Sequence, residues 1–155
     1  PGSKRYPETD GEYSEALLRH NAVAQTVLGA TSDCLLIVNR IALEADPIDW
    51  AEESRSLGFT LEPTDMWGRP LDDDDPPSFY EFAIAKVIWT AHALDSLIRA
   101  VADERQHGLL LFSGVMHQVY APYAGGADLL VATTRRRDEL RALWSSWLSE
   151  RDDGF

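Results

Sequence analysis

The chain has 155 residues, of which 45% are hydrophobic, with five Trp, five Tyr and five Phe; this suffices for one packed domain and argues against disorder. A formal net charge of −12 and a sequence pI of about 4.6 oppose nucleic-acid binding and attachment to an anionic membrane, both of which need Lys and Arg. The longest apolar runs, Cys34–Val38 and Leu109–Phe112, are too short to span a bilayer, and the lone Cys34 excludes an internal disulfide and suits a reducing cytoplasm.

Pro1-Gly2-Ser3 has the composition of a tag remnant, so the domain is taken as residues 4–155. No basic segment followed by an apolar run opens the chain, so no retained signal peptide is expected. Thr9-x-x-Glu12 has the spacing of a capping box. Tyr13, Leu17, His20, Ala24, Val27 and Leu28 follow at helical spacing, which predicts a helix over about 12–29 closed by Gly29. Ser32–Ala42 reads as a buried strand. Residues 46–58 fit a short helix with Pro47 near its start and Gly58 beyond its end; on it Asp49, Glu52 and Glu53 share one face.

Residues 59–78 contain four prolines and the run Asp72 to Asp75 and read as a long irregular insert. Phe79–Thr90 reads as a strand, although Tyr80, Ala83, Ile84 and Val87 also fit a helical face. Leu94, Leu97, Ile98 and Val101 mark an amphipathic helix that Gly108 closes. Leu109–Ser113, Val115–Tyr120 and Ala127–Ala132 follow as short strands, the last two joined by a glycine-bearing hairpin. Leu140, Leu143, Trp144, Trp147 and Leu148 form one stripe of a final helix, which begins with Arg135-Arg136-Arg137. Three consecutive strands with hairpin links imply an antiparallel sheet with amphipathic helices on one face, a single α+β domain without the βαβ alternation of a doubly wound fold.

The charge is unevenly spread. Residues 44–75 hold eleven acidic residues (Glu44, Asp46, Asp49, Glu52, Glu53, Glu62, Asp65 and Asp72 to Asp75) against Arg55 and Arg69, which is −9 of the −12. Such a concentration repels itself unless it is solvated or used by a cationic partner. Four contiguous aspartates followed by Pro76-Pro77 lack the alternation and glycine of a calcium loop, which leaves a solvated loop and a docking patch as the two main readings. Trp67 within this acidic segment resembles an apolar anchor with an electrostatic rim, or else it folds back onto the core.

Candidates for chemistry are sparse. His20, His92, His107 and His117 lie on separate elements without zinc-binding spacing, so no metal or cofactor is expected, and no catalytic residue is assigned. His20 falls on the apolar side of the first helix as a satisfied core or boundary histidine. His117 could meet Asp128 across a hairpin as an acid–base pair, and Cys34 is a lone nucleophile candidate whose simpler reading is a buried thiol. Gly125-Gly126 is most simply a turn requiring positive φ. The three arginines could pair with the acidic segment, and Trp144 and Trp147 read as core rather than as a ligand box.

The C-terminal third carries a further pattern. Leu109–Ser113, Val119-Tyr120, a turn ending Gly126-Ala127-Asp128, Leu129–Ala132, then a helix with Leu140, Trp144 and Trp147-Leu148 before Arg151-Asp152 resemble a bacterial family of small domains found among the immunity proteins of polymorphic-toxin loci. Members tend to show a Tyr-Asp-Asp-Arg-Gly-x-Asp turn; Tyr123-Ala124-Gly125-Gly126-Ala127-Asp128 keeps the glycine and the last aspartate and lacks the middle Asp-Arg. The resemblance covers the last fifty or so residues and, more loosely, Asp33–Val38. It implies a cytoplasmic, non-enzymatic antitoxin that binds a cognate bacterial toxin, a basic enzyme such as a nuclease, by occluding its active site. Asp49, Glu52, Glu53, Asp65 and Asp72, Asp73, Asp74 and Asp75 would supply charge complementarity, with Trp67 as anchor. A small enzyme using His117/Asp128 or Cys34, a DNA mimic, and a scaffold or oligomerisation module are the competing readings.

Overall fold

A computed structural model describes residues 7–43, 47–67 and 78–148, with the backbone alone for 43, 65–67 and 78. The described chain runs α1 (Asp10–Leu28), β1 (Thr31–Leu43), α2 (Trp50–Leu57), β2 (Glu62–Trp67), β3 (Ser78–Thr90), α3 (Asp95–Ala102), β4 (Leu109–Ser113), β5 (Gln118–Tyr123), β6 (Gly126–Leu130) and α4 (Thr134–Leu143), followed by a 3-10 turn at Ser145–Trp147. The six strands form one sheet in the order β2-β3-β1-β4-β5-β6, and each adjacent pair is antiparallel. The architecture is the expected single α+β domain.

Local chemistry accounts for most element ends. Thr9 and Glu12 form the reciprocal capping box of α1, with Glu12 N–H donating to Thr9 Oγ1 at 3.3 Å and Thr9 N–H to Glu12 Oε2 at 3.0 Å. Asp49 caps α2 by accepting from the N–H groups of Ala51 and Glu52, and Gly58 closes that helix at φ +75°, where a Cβ would be strained. No basic residue lies in the last turn of α1. Arg136 of α4 supplies one instead, donating to the Thr26 carbonyl at 2.9 Å, where the helix dipole favours a cation.

The helices lie on one face of the sheet. There Ala24, Val27 and Leu28 of α1, Leu97 and Val101 of α3 and Leu140 of α4 meet Cys34, Leu36, Val38, Ala83, Ala85, Trp89, Leu111 and Tyr120 in a common core. Helix α2 joins the same face through Arg40 and Glu81, cross-strand partners on β1 and β3: Arg40 reaches Glu53 and Trp50 Nε1 donates to Glu81 at 3.1 Å.

Four expectations are corrected. Residues 62–67 of the supposed irregular insert are strand β2, so Asp65 and Trp67 belong by backbone to a sheet edge. Helix α3 ends at Ala102 rather than running toward Gly108, because Arg105 and Gln106 N–H fold back onto the Ala100 carbonyl. Strand β5 starts at Gln118, and His117 sits before it in a turn at φ +52°. Helix α4 stops at Leu143, with Trp144 as its C-cap. The terminal stripe is therefore split: Leu140 is buried, Trp144 packs on the core, and Leu143 and Leu148 are exposed.

Candidate functional site

Two surfaces stand out, an acidic sheet edge and the sheet face that none of the described helices covers. The edge is β2, whose only partner among the described strands is β3, with a register shift between Pro63 and Trp67. Proline is tolerated at such an edge because its missing N–H interrupts no ladder. Glu62 and Pro63 are exposed, and Thr64 Oγ1 is anchored to the Phe82 carbonyl at 3.1 Å. The segment carrying Asp72 to Asp75 leaves β2 after Trp67 and re-enters the sheet at Ser78 of β3, so chain connectivity attaches both its ends to this pair of strands. Asp72 to Asp75 themselves lie outside the described residues, as do the side chains of Asp65 and Trp67.

The acids of α2 divide. Asp49 is exposed and occupied as the helix cap. Glu52 pairs at 2.5 Å with Arg55, both well exposed, an arrangement that contributes little to stability. Glu53 turns inward to Arg40, accepting from Nε at 2.9 Å and from the NH2 group at 2.6 Å. Arg40 also donates to the carbonyls of Asn39 and His107 and to Gln106 Oε1, so every N–H of this buried guanidinium is used. Glu53 is thus a counter-ion inside the fold, and Asp49 and Glu52 are the α2 carboxylates that face solvent.

The second surface follows from strand alternation. On β1, Cys34, Leu36, Val38, Arg40 and Ala42 point to the helices, while Leu35, Ile37 and Ile41 point away. Phe82, Ile84 and Ile88 on β3, Leu110 and Phe112 on β4, Val119 on β5 and Leu130 on β6 share that outward face through the register. Ile41, Ile88 and Leu130 are more than half exposed. Thr31, Asp33, Asn39, Lys86, Thr90 and Asp128 are among the polar residues on this face, and Glu62 of β2 joins them opposite Ile84. A shallow depression lies at one end, lined by Asp33, Leu35, Lys86, Ile88 and Phe112.

The titratable candidates do not converge. His117 is exposed in its turn, and Asp128 faces Ala121 in the hairpin register, so the anticipated pair is about four residues, or roughly 13 Å, out of register. Cys34 is 4% exposed, and burial pushes its thiol pKa up, which suppresses the nucleophilic thiolate. His20 Nδ1 lies 2.5 Å from the Tyr120 hydroxyl. Burial lowers the His20 pKa to about 4 and raises that of Tyr120, so both groups are neutral and the ring can accept from the phenol.

Two polar clusters escaped sequence reading. Asn21, 4% exposed, donates to Asp95 Oδ1 at 2.6 Å and accepts from His92 N–H at 2.7 Å. His92 Nδ1 lies 2.9 Å from Asp95 Oδ2. On the same side of the molecule α1 meets the end of α3 at Tyr13, whose hydroxyl donates to Asp103 beneath the Arg99 guanidinium; these contacts lower the Asp103 pKa, chiefly through the Tyr13 bond and then Arg105. The i, i+3 spacing of His92 and Asp95 was the visible signal, but Asn21 lies 74 residues from Asp95. Both clusters tie α1 to α3. Among the described residues the three arginines of α4 pair locally, Arg135 and Arg136 with Glu139 and Arg137 with Asp138; Asp72 to Asp75, the other partners expected for them, lie outside the described residues.

Among the described residues no group of three or more His, Cys, Asp or Glu side chains is placed to hold a metal ion, and no described helix is long and apolar enough to cross a membrane. No curated protein and no solved structure matches the chain. A family model matches residues 1–152, nearly the whole chain, and on that ground the protein belongs to the DUF3885 family, described as a domain of unknown function.

Proposed function

We propose that this protein is a cytoplasmic, immunity-type binding protein that engages the basic surface of a cognate bacterial toxin and blocks its active site. The observation that carries the reading is the acidic β2 edge. Strand β2 has only one neighbour among the described strands, Glu62 is exposed upon it, and the chain bearing Asp72 to Asp75 joins β2 to β3. Such a surface steers a cationic partner and sets its orientation. An edge strand also offers unpaired backbone groups to a partner. Of the candidates for chemistry, Cys34 is buried in the core, His20 meets Tyr120, and His117 stands apart from Asp128.

The test is coexpression with the product of the neighbouring reading frame, read as growth protection and as direct binding. Replacing Asp72 to Asp75 by Asn is expected to weaken binding at least about tenfold, to flatten its salt dependence and to leave the fold unchanged. A neighbouring product that is not toxic, or an affinity indifferent to those four charges, overturns the proposal.

A further inference from the structure

We propose that α2 is a lid held on the sheet by a polar latch, and that it opens as a unit while the rest of the fold stays intact. Burial is the first ground. Helix α1 buries Asn21, Ala24, Val27 and Leu28 and α3 buries Leu97, Ile98 and Val101, whereas none of the eight residues of α2 is buried. Trp50 and Leu57 pack against the core from α2 but stay partly exposed. An element with so little buried surface opens at a lower free energy than the core. Eight residues are also too few to remain helical alone, so α2 melts as it leaves the sheet.

Side-chain bonds to three other parts of the chain hold the lid down. Glu53 accepts from Arg40 Nε of β1 at 2.9 Å. Trp50 Nε1 donates to Glu81 of β3 at 3.1 Å, and Gln106, from the segment between α3 and β4, donates to Ser56 Oγ at 3.2 Å. Of these contacts only the first joins opposite charges, at 2.6 Å from the Arg40 NH2 group.

The two halves of that pair are fixed unequally. Arg40 also donates to the carbonyls of Asn39 and His107 and to Gln106 Oε1, and none of those partners lies on α2. The guanidinium therefore stays in place when the lid lifts, and Glu53 hydrates as it goes. Gly58, at φ +75° with open space around its Cβ position, serves as the hinge on the β2 side. Beyond it Leu61, 6% exposed, stays with the sheet and gives up the bond from its N–H to Ser54 Oγ. Asp49 and Glu52, the solvent-facing carboxylates of α2, keep a fixed position relative to the sheet only while the latch is closed.

Native-state hydrogen exchange of the full chain near neutral pH, followed over about 0–1 M urea, tests this. The helical amides from Glu53 to Gly58 are expected to exchange at least about 30-fold faster than those of Cys34–Val38, with almost no urea dependence, because lifting the lid exposes little surface. Val101→Ala weakens the core that the open form retains. It should speed Cys34–Val38 tenfold or more and leave the α2 amides within about threefold. Glu53→Gln weakens the latched form relative to every open one, so it speeds both sets tenfold or more. Glu52→Gln, which breaks an exposed pair, changes the α2 amides by less than about threefold. Exchange of α2 in step with Cys34–Val38, in rate and urea dependence, overturns the proposal. So does Val101→Ala speeding both sets alike, or Glu52→Gln matching Glu53→Gln. The urea series and Val101→Ala decide the matter even if Glu53→Gln fails to fold. No toxin enters these measurements, so their failure leaves the toxin-binding reading standing, and the converse holds.

Discussion

Replacing Glu53 by Gln should destabilise the protein by about 2–3 kcal/mol, far more than loss of one surface charge. Arg40 has a side chain only 8% exposed, and Glu53 is 26% exposed. Removing one partner of a fully buried ion pair costs about 3–5 kcal/mol, because the surviving charge is left without compensation. The partial exposure of Glu53 moves the expectation to the lower end, since water reaches part of the site. Arg40→Met should cost less, about 1–2 kcal/mol, because the released Glu53 can hydrate while a side chain of similar volume fills the space. The double variant then falls short of the sum of the singles by more than about 1 kcal/mol. Urea unfolding followed by tryptophan fluorescence reads all three, and unchanged slopes show that the unfolded state is unaffected. If Glu53→Gln stays within about 0.5 kcal/mol of the wild type, or unfolds at the wild-type midpoint while binding a partner less well, Glu53 acts at the surface and the buried-counter-ion assignment is wrong.

Three further outcomes follow from particular contacts. His20 has a folded pKa of about 4 against about 6.5 in the unfolded chain, so stability is complete above pH 6.5 and falls as the pH drops toward 4, where the unfolded chain takes up a proton that the folded one resists. The loss reaches about 2–3 kcal/mol, and His20→Leu should flatten that part of the stability–pH curve measured by urea unfolding. Gly108 has φ +61° and the Asn39 carbonyl would lie 2.6 Å from an added Cβ, so Gly108→Ala should cost about 2 kcal/mol or more, read as a lowered Tm; an unchanged Tm refutes the close approach. Thr9→Ala removes one half of the α1 capping box and should cost about 1 kcal/mol, with increased amide exchange at Glu12 and Tyr13 as the local signature.

Much of the fold was legible because local chemistry decides it. The Thr9/Glu12 box, Gly29 and Gly58 mark helix ends through backbone groups that must be satisfied nearby. Strands β1, β3 and β4 emerge from apolar runs rich in branched residues, and the Tyr123–Gly126 hairpin from a glycine that accepts φ +93° at position 125. Strand β2 was illegible because Pro63 and an acidic composition argue against a strand, and only a position at the sheet edge makes both acceptable. The end of α4 was misjudged because Trp144 and Trp147 keep helical spacing, yet their rings stack at 4.3 Å across a tightened turn. Arg40 was missed altogether: a lone cation at the end of an apolar run reads as solvent-facing until Glu53, Gln106 and the His107 carbonyl converge from two other elements. The continuous apolar character of Cys34–Val38 did report something true, namely that this strand is apolar on both faces.

The central place of β1 also governs how the chain must assemble. Its neighbours on the two sides are β3 and β4, and its pairing with β3 runs from Leu43↔Ser78 to Thr31↔Thr90. A nascent chain therefore carries a 13-residue strand with an apolar centre without either partner until Ser78 has been synthesised, and completes its first ladder at Thr90 and its second only at Ser113. Contacts so distant in sequence place folding in the millisecond-to-second regime of sheet-dominated domains and lengthen the interval in which β1 can pair with the wrong edge. During synthesis β1 is therefore the segment left longest beside foreign strand edges before its own partners arrive.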